Sequence, residues 1–178
     1  VTHDQEEALS LADHVALMRS GRVVQDGTPI EVYTDPVDPE AAAFLGDSVE
    51  LPCRVLAADA GVQRVECALG NVCVDHTAVH NRNGNNILVL RPEQLELTDS
   101  EGTPASVAGA SFFGHDGLAR LRLSDGTPIL VRLIGTSLPP VGASVNVRLQ
   151  DHFSTAKAAN SERVGTAPYL GSAAAHPV

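Results

Sequence analysis

Hydrophobic and polar positions follow one pattern up to about residue 46 and another after it. In the opening stretch VTHDQEEALSLADHVALM, residues Ala8, Leu9 and Ala12 fall on one helical face, which predicts a short helix over residues 4–12. Thr2 as N-cap with Gln5 three positions on fits a capping box, and Asp4, Glu6 and Glu7 then occupy the first turn, where negative charge is favoured. Residues 14–18 read as a strand, Ser20-Gly21 as a turn and residues 22–25 as the returning strand. Thr28-Pro29-Ile30-Glu31 is a second capping box with proline at the first helical position. Asp38-Pro39-Glu40 repeats the device, opens the apolar run 41–45 and meets its stop at Gly46.

Beyond Gly46 the apolar runs shorten and turn residues punctuate them. Strands are predicted at 53–56, 62–68, 72–74 and 87–91, separated by Gly61, Gly70-Asn71 and a loop over 81–86. A second series follows at 107–112, 118–123, 129–133 and 144–149. Residues 118–123 alternate apolar and basic side chains, and Asp125-Gly126 after them is a hairpin signal. Short strands with a turn every ~8–12 residues point to a small barrel or sandwich. From residue 151 no period survives, and 151–178 is expected to be mostly disordered.

Composition narrows the function classes. Aromatic residues make up 3% of the chain, with no Trp, so stacking platforms for bases or sugars are not expected. A formal charge of −10 repels phosphate backbones and argues against nucleic acid as a partner. No stretch approaches the roughly 20 apolar residues of a membrane span, and no secretory signal is recognised. Cys53, Cys67 and Cys73 lack CxxC spacing and read as free thiols of a reducing cytoplasm.

Few residues carry candidate chemistry. Taken from spacing alone, His3 is either a phosphate contact at a helix start or a decoration on its cap. Asp4, Glu6 and Glu7 read as helix-start stabilisers rather than an acid–base pair. His76 and His80 have i, i+4 spacing but no matching third ligand, and read as surface histidines rather than a metal site. His115-Asp116 reads as a turn held by its aspartate rather than a contact to a partner or substrate anion, and Arg91-Pro92-Glu93 as a strand end with Arg91 pairing an acidic neighbour.

Taken in order, 1–9 (VTHDQEEAL), Ala12-Asp13, 18–21 (MRSG) and 25–29 (QDGTP) resemble the ATPase subunits of importer-type ABC transporters. In that family VTHDQ is the switch-histidine loop, and GTPxExY, here Gly27 to Tyr33, leads into the tail of the nucleotide-binding domain. Phe44-Leu45-Gly46 resembles the exit from that domain, and residues 90–95 (LRPEQL) the arginine-proline-glutamate phrase of its regulatory extension. Residues 44–52 and 112–116 are more similar to the ferric-iron or inorganic-ion branch than to the sugar branch.

The resemblance implies an α+β, mainly β chain. Residues 1–46 would be the C-terminal remnant of an ABC ATPase domain, short helices plus a hairpin. Residues 47–150 would be a transport-associated (TOBE) regulatory domain, an OB-like β-barrel, with 151–178 a tail. His3 would be the switch histidine that reaches the γ-phosphate, the one catalytic and cofactor-binding residue implied here; no metal ligand is. ATP and Mg would be held through the rest of the subunit, because no GxxxxGK[ST] loop, LSGGQ signature or catalytic glutamate occurs in these 178 residues. The chain alone is therefore expected not to hydrolyse ATP, and to be a fragment by truncation, expression choice or incomplete sequence. Implied partners are a second ATPase subunit, the permease's transmembrane subunits and, indirectly, a periplasmic or extracellular solute-binding protein. The implied location is cytoplasmic, peripheral on the inner face of the membrane. Alternatives are a non-catalytic TOBE binding or regulatory module, or an importer subunit for sugar, polyamine or molybdate/sulfate.

Overall fold

The computed structural model describes residues 1–150, and the expectation for 151–178 lies outside them. The described chain is mainly β with a few short helices. Helix α1 (Gln5–Leu11) precedes an antiparallel hairpin of β1 (Val15–Arg19) and β2 (Arg22–Gly27), and α2 (Pro29–Thr34) and α3 (Pro39–Leu45) follow. The two proline-marked starts form as predicted. At α2 the Glu31 N–H donates to Thr28 Oγ1 (3.3 Å) while the Thr28 N–H donates to the Glu31 carboxylate (2.8 Å). At α3 the Ala41 N–H donates to Asp38 Oδ1 (2.7 Å). Gly46 ends α3 at φ 152°, ψ −178°, a region open to glycine.

The first helix departs from prediction. Its N-cap is Asp4, which accepts from the Glu7 N–H (3.0 Å), and no capping box forms on Thr2. Thr2 Oγ1 instead accepts from the Asp4 N–H (3.0 Å) and donates to Glu7 Oε2 (2.7 Å). A carboxylate at the cap satisfies an orphan N–H and also meets the positive end of the helix dipole, which a hydroxyl does not. His3 consequently lies one residue before the cap.

Ten strands build the remainder as two antiparallel sheets. The first contains β3 (Val49–Asp59), β4 (Val62–Cys67), β5 (Gly70–Asp75), β6 (Val79–Arg82) and β7 (Asn85–Leu90), in the order β5-β4-β3-β7-β6. β3 pairs with β7 over its first half and with β4 over its second, with a bulge between Val55 and Ala57. A single 3-10 turn, His76–Ala78, joins the two edge strands β5 and β6. The loop expected at 81–86 is a hairpin: Arg82 pairs with Asn85, and Asn83-Gly84 between them adopts φ 55° and 85°. Both central residues at positive φ match the twist of the flanking strands, so Asn-Gly closes the hairpin in two residues.

The second sheet contains β8 (Leu95–Thr98), β9 (Thr103–Phe112), β10 (Asp116–Leu123), β11 (Pro128–Ile134) and β12 (Ser144–Leu149), in the order β11-β10-β9-β12-β8. Its two edge strands, β8 and β11, lie close to each other. The sequence pattern does not predict strand β8, because Leu95-Glu96-Leu97-Thr98 is short and has only two apolar residues. One aliphatic core joins both sheets, with Leu51, Val65, Leu88 and Leu90 from the first meeting Leu95, Leu121, Val131 and Val147 from the second. Sheets that share a core bury their inward faces against each other, which accounts for the period-two burial of β9 and of the second half of β10.

Candidate functional site

His3 is exposed, in a bend ahead of α1. Among the described residues its ring makes no hydrogen bond, and the 7-residue α1 follows it. What the fold does bring together lies elsewhere, where the helical section meets the sheets.

Arg91 follows β7 directly and is buried, with 6% of its surface exposed. Its guanidinium stacks over the Tyr33 ring, 4.0 Å from the centroid. Nε and Nη2 donate to the Tyr33 carbonyl (3.3 and 3.0 Å), and Nη1 donates to the carbonyls of Ala42 (2.8 Å), Asp47 (3.2 Å) and Gly46 (3.4 Å). These carbonyls belong to the C-terminal parts of α2 and α3 and to the link into β3, where helix ends leave acceptors unsatisfied. The expected pairing of Arg91 with an acidic neighbour is thus replaced by capping of two helix ends. A planar fork of five donors suits several carbonyls at once, and the aromatic face takes the remaining surface. Burial pushes the Arg91 pKa down, while Tyr33, Glu93 and Asp47 oppose that shift.

Glu93 completes the junction. The Tyr33 hydroxyl donates to Glu93 Oε1 (2.7 Å), and burial followed by this bond pushes the Tyr33 pKa up to about 12. The Arg91 N–H donates to Gln94 Oε1 (2.7 Å), which orders the 3-10 turn Pro92–Gln94. The arginine-proline-glutamate phrase therefore clamps residues 33–47 onto the sheets. Beside it lies a cavity of about 230 Å³, lined by Tyr33, Asp75, His80, Arg91, Gln94 and Leu149 among others.

The histidine pair does not converge. His76 sits in the 3-10 turn with Nδ1 near Gly61 O (3.1 Å) and Asp75 Oδ1 (3.0 Å), whereas His80 lies on β6. His80 is half-buried rather than on the surface, its Nε2 has no hydrogen-bond partner among the described residues, and burial lowers its pKa. A change from turn to strand between the two removes the helical i, i+4 geometry that the spacing required. No cluster of three metal-ligating side chains occurs among the described residues. Asp116 is not a turn stabiliser: it is 4% exposed at the start of β10 and accepts from Arg132 Nη1 on β11 (3.1 Å). Beside it Phe112, Phe113 and Ile134 are exposed, at 53%, 57% and 85%. Cys53, Cys67 and Cys73 are unbridged.

The family model described as the TOBE domain matches residues 88–153, the span that holds Arg91 and the whole second sheet. Over 155 residues the chain is 42% identical to the Fe(3+) ions import ATP-binding protein FbpC 2 of Rhodococcus jostii (strain RHA1), covering 84% of this chain and 42% of that protein. The chain carries the C-terminal TOBE region of an ABC importer ATP-binding subunit. A FbpC of Pseudomonas fluorescens (strain Pf0-1) is 40% identical over 157 residues, covering 84% of this chain and 43% of its own. The spermidine/putrescine import ATP-binding protein PotA of Ruegeria pomeroyi is 38% identical over 135 residues, 74% of this chain and 36% of its own. The chain thus spans less than half the length of these relatives. Arg91, Glu93 and Gln94 lie inside the matched residues, whereas their partner Tyr33 lies outside them. No helix among the described residues is long and apolar enough to cross a membrane.

Proposed function

We propose that this chain is part of the ATP-hydrolysing subunit of a binding-protein-dependent importer of ferric iron. The carrying observation is its 42% identity, over 84% of its residues, to a Fe(3+) ions import ATP-binding protein. The 38% identity to a polyamine-import protein favours polyamine as the second reading of the solute.

In this reading residues 1–46 are the tail of the nucleotide-binding domain and His3 is its switch histidine, which contacts the γ-phosphate. Phosphoryl transfer of this kind needs positioned donors more than a strong base, and an exposed imidazole ahead of a helix suits that need. The residues present do not fit a nucleotide cradle by themselves, since the sequence has no Gly-rich phosphate loop. ATP and its magnesium would be bound by other parts of the subunit.

Residues 47–150 then act as the regulatory unit, with each sheet rolled towards an OB-like barrel. The joining of β5 to β6 through only three residues supports this. Four Cα steps reach at most about 14 Å, whereas a flat five-stranded sheet separates its edges by about 19 Å. The closeness of β8 and β11 supports the same curl in the second sheet. The regulatory unit would pack against its twin in a second ATPase subunit, for which the exposed Phe112, Phe113 and Ile134 offer apolar surface. The subunit would sit on the inner face of the membrane against the permease, which a solute-binding protein loads.

The test is a full-length subunit carrying His3→Ala, assayed for ATP turnover and ferric-iron uptake with its permease. Loss of both with nucleotide binding retained is expected; normal transport by the variant would remove the switch role.

A further inference from the structure

Cys53 on β3 and Cys67 on β4 occupy facing positions. Arg54 pairs with Glu66 and Val55 with Val65, so the next step of the same antiparallel register sets Cys53 opposite Cys67. The faces agree. Arg54 and Glu66 form an ion pair on the solvent side (2.6 Å), Val65 is buried, and alternation turns both cysteines inward, where they pack against the shared core. Burial raises the pKa of both thiols, and the charge of Cys67 raises that of Cys53 further, as expected of close neighbours.

Cys73 stands apart. It opposes exposed Arg64 across the β4–β5 ladder, while Val65 opposes Val72, so Cys73 belongs to the other face of the sheet. The position of Cys53 within β3 also matters. It is the last residue paired with β7, opposite Asn86, and Arg54 is the first paired with β4.

We propose that Cys53 and Cys67 form a reversible cross-strand disulfide, which locks β3 to β4 where β3 passes from one partner strand to the other. Directly opposite residues of antiparallel strands lie about 4.5–5.5 Å apart at Cα. That falls within the ~4.4–6.8 Å a disulfide spans, so the bridge needs side-chain rotation and little backbone movement. The oxidant is a low-molecular-weight disulfide. One cysteine loses its proton, attacks that disulfide and forms a mixed disulfide, releasing one small thiolate. The second cysteine, deprotonated in turn, displaces the other small thiol and closes the protein bridge. One disulfide is consumed, one is formed, and the two protons pass from the protein thiols to the two small thiols. Because only the thiolate attacks, thiols raised by burial exchange slowly near neutral pH and faster as pH rises.

The test treats the folded 178-residue chain with excess oxidised glutathione, maps disulfides by peptide mass spectrometry and follows the thermal midpoint. Expected are a Cys53–Cys67 bridge, a midpoint raised by several degrees and its return on reduction with dithiothreitol. The Cys73→Ser variant keeps this response, and Cys53→Ser and Cys67→Ser lose it. Should either serine variant fail to fold by circular dichroism, Cys53→Ala or Cys67→Ala, which keep the site apolar, provide the same comparison. Three free thiols or only glutathione adducts after oxidation, a bridge that includes Cys73, or a bridge between two chains would each overturn the proposal.

Discussion

The Arg91 guanidinium lies flat on the Tyr33 ring, 4.0 Å from its centroid, while two of its nitrogens donate to the carbonyl of the same residue. One side chain thus holds another by its face and by its backbone, and reaches the end of α3 with its remaining nitrogen. The helical section and the TOBE region meet through this contact, so its removal tests how far the two depend on each other.

Arg91→Ala is expected to destabilise the chain by about 3 kcal/mol, because it strands several buried carbonyls and opens a void beside Tyr33. Arg91→Lys recovers only a minor part, since one ammonium cannot replace a planar fork or its stacking. Urea denaturation followed by circular dichroism measures both. A lysine variant as stable as the parent would show that charge alone, and not geometry, holds the junction.

Tyr33→Phe removes the hydroxyl that donates to Glu93 and is expected to cost about 1 kcal/mol. In the parent chain one tyrosine ionises only at about 12. Glu93→Gln brings that ionisation down, because the carboxylate beside the hydroxyl opposes a second negative charge. Ultraviolet absorbance during alkaline titration reads the shift directly.

Asp116 is buried and Arg132 is its partner, but 40% of the Arg132 side chain faces water. Arg132→Ala leaves a buried carboxylate without its cation. Water near the arginine reduces the penalty from that of a fully buried pair to about 1–2 kcal/mol. Asp116→Asn in the same background is expected to restore most of the loss, as a double-mutant cycle by thermal unfolding would reveal.

Asp38 caps α3 and pairs with Arg19 (2.7 Å), and this ion pair with the cap holds its pKa near 2, below the ordinary 3.8. A depressed carboxylate stabilises the fold fully above its unfolded value and loses that contribution as protons bind to the folded state. Stability should therefore fall between about pH 4 and pH 2, by less in Asp38→Asn than in the parent. The side chains are about a third exposed, so the difference is modest. Thermal midpoints across that range, compared between the two chains, check it.

Local chemistry was legible in the chain. Pro29 and Pro39, each behind a capping residue, mark two helix starts to the residue, because φ and the missing donor of proline act within a single turn. The Ala119 to Leu123 alternation likewise locates β10, since side-chain period and face are local properties of a strand. Competition between two nearby oxygens was not legible at Thr2 and Asp4, where either side chain satisfies the motif and only the local geometry selects one. Asn83-Gly84 is a hairpin signal, but its polar neighbours read as a loop, because a hairpin needs apolar side chains on only one face.

By itself, then, the sequence determined where two of the three described helices start, which faces of most strands are apolar, and which family the ordered phrases from VTHDQ to LRPEQL belong to. The tertiary structure alone decided what Arg91 does. Its partners are carbonyls 44 to 58 residues away along the chain, and carbonyls are present at every position, so no residue type announces them. It also decided that Cys53 and Cys67 face each other while Cys73 does not, which depends on strand register across a bulge rather than on spacing. Pairwise contact between distant segments follows from how the core closes, and composition and period constrain that closure without specifying it.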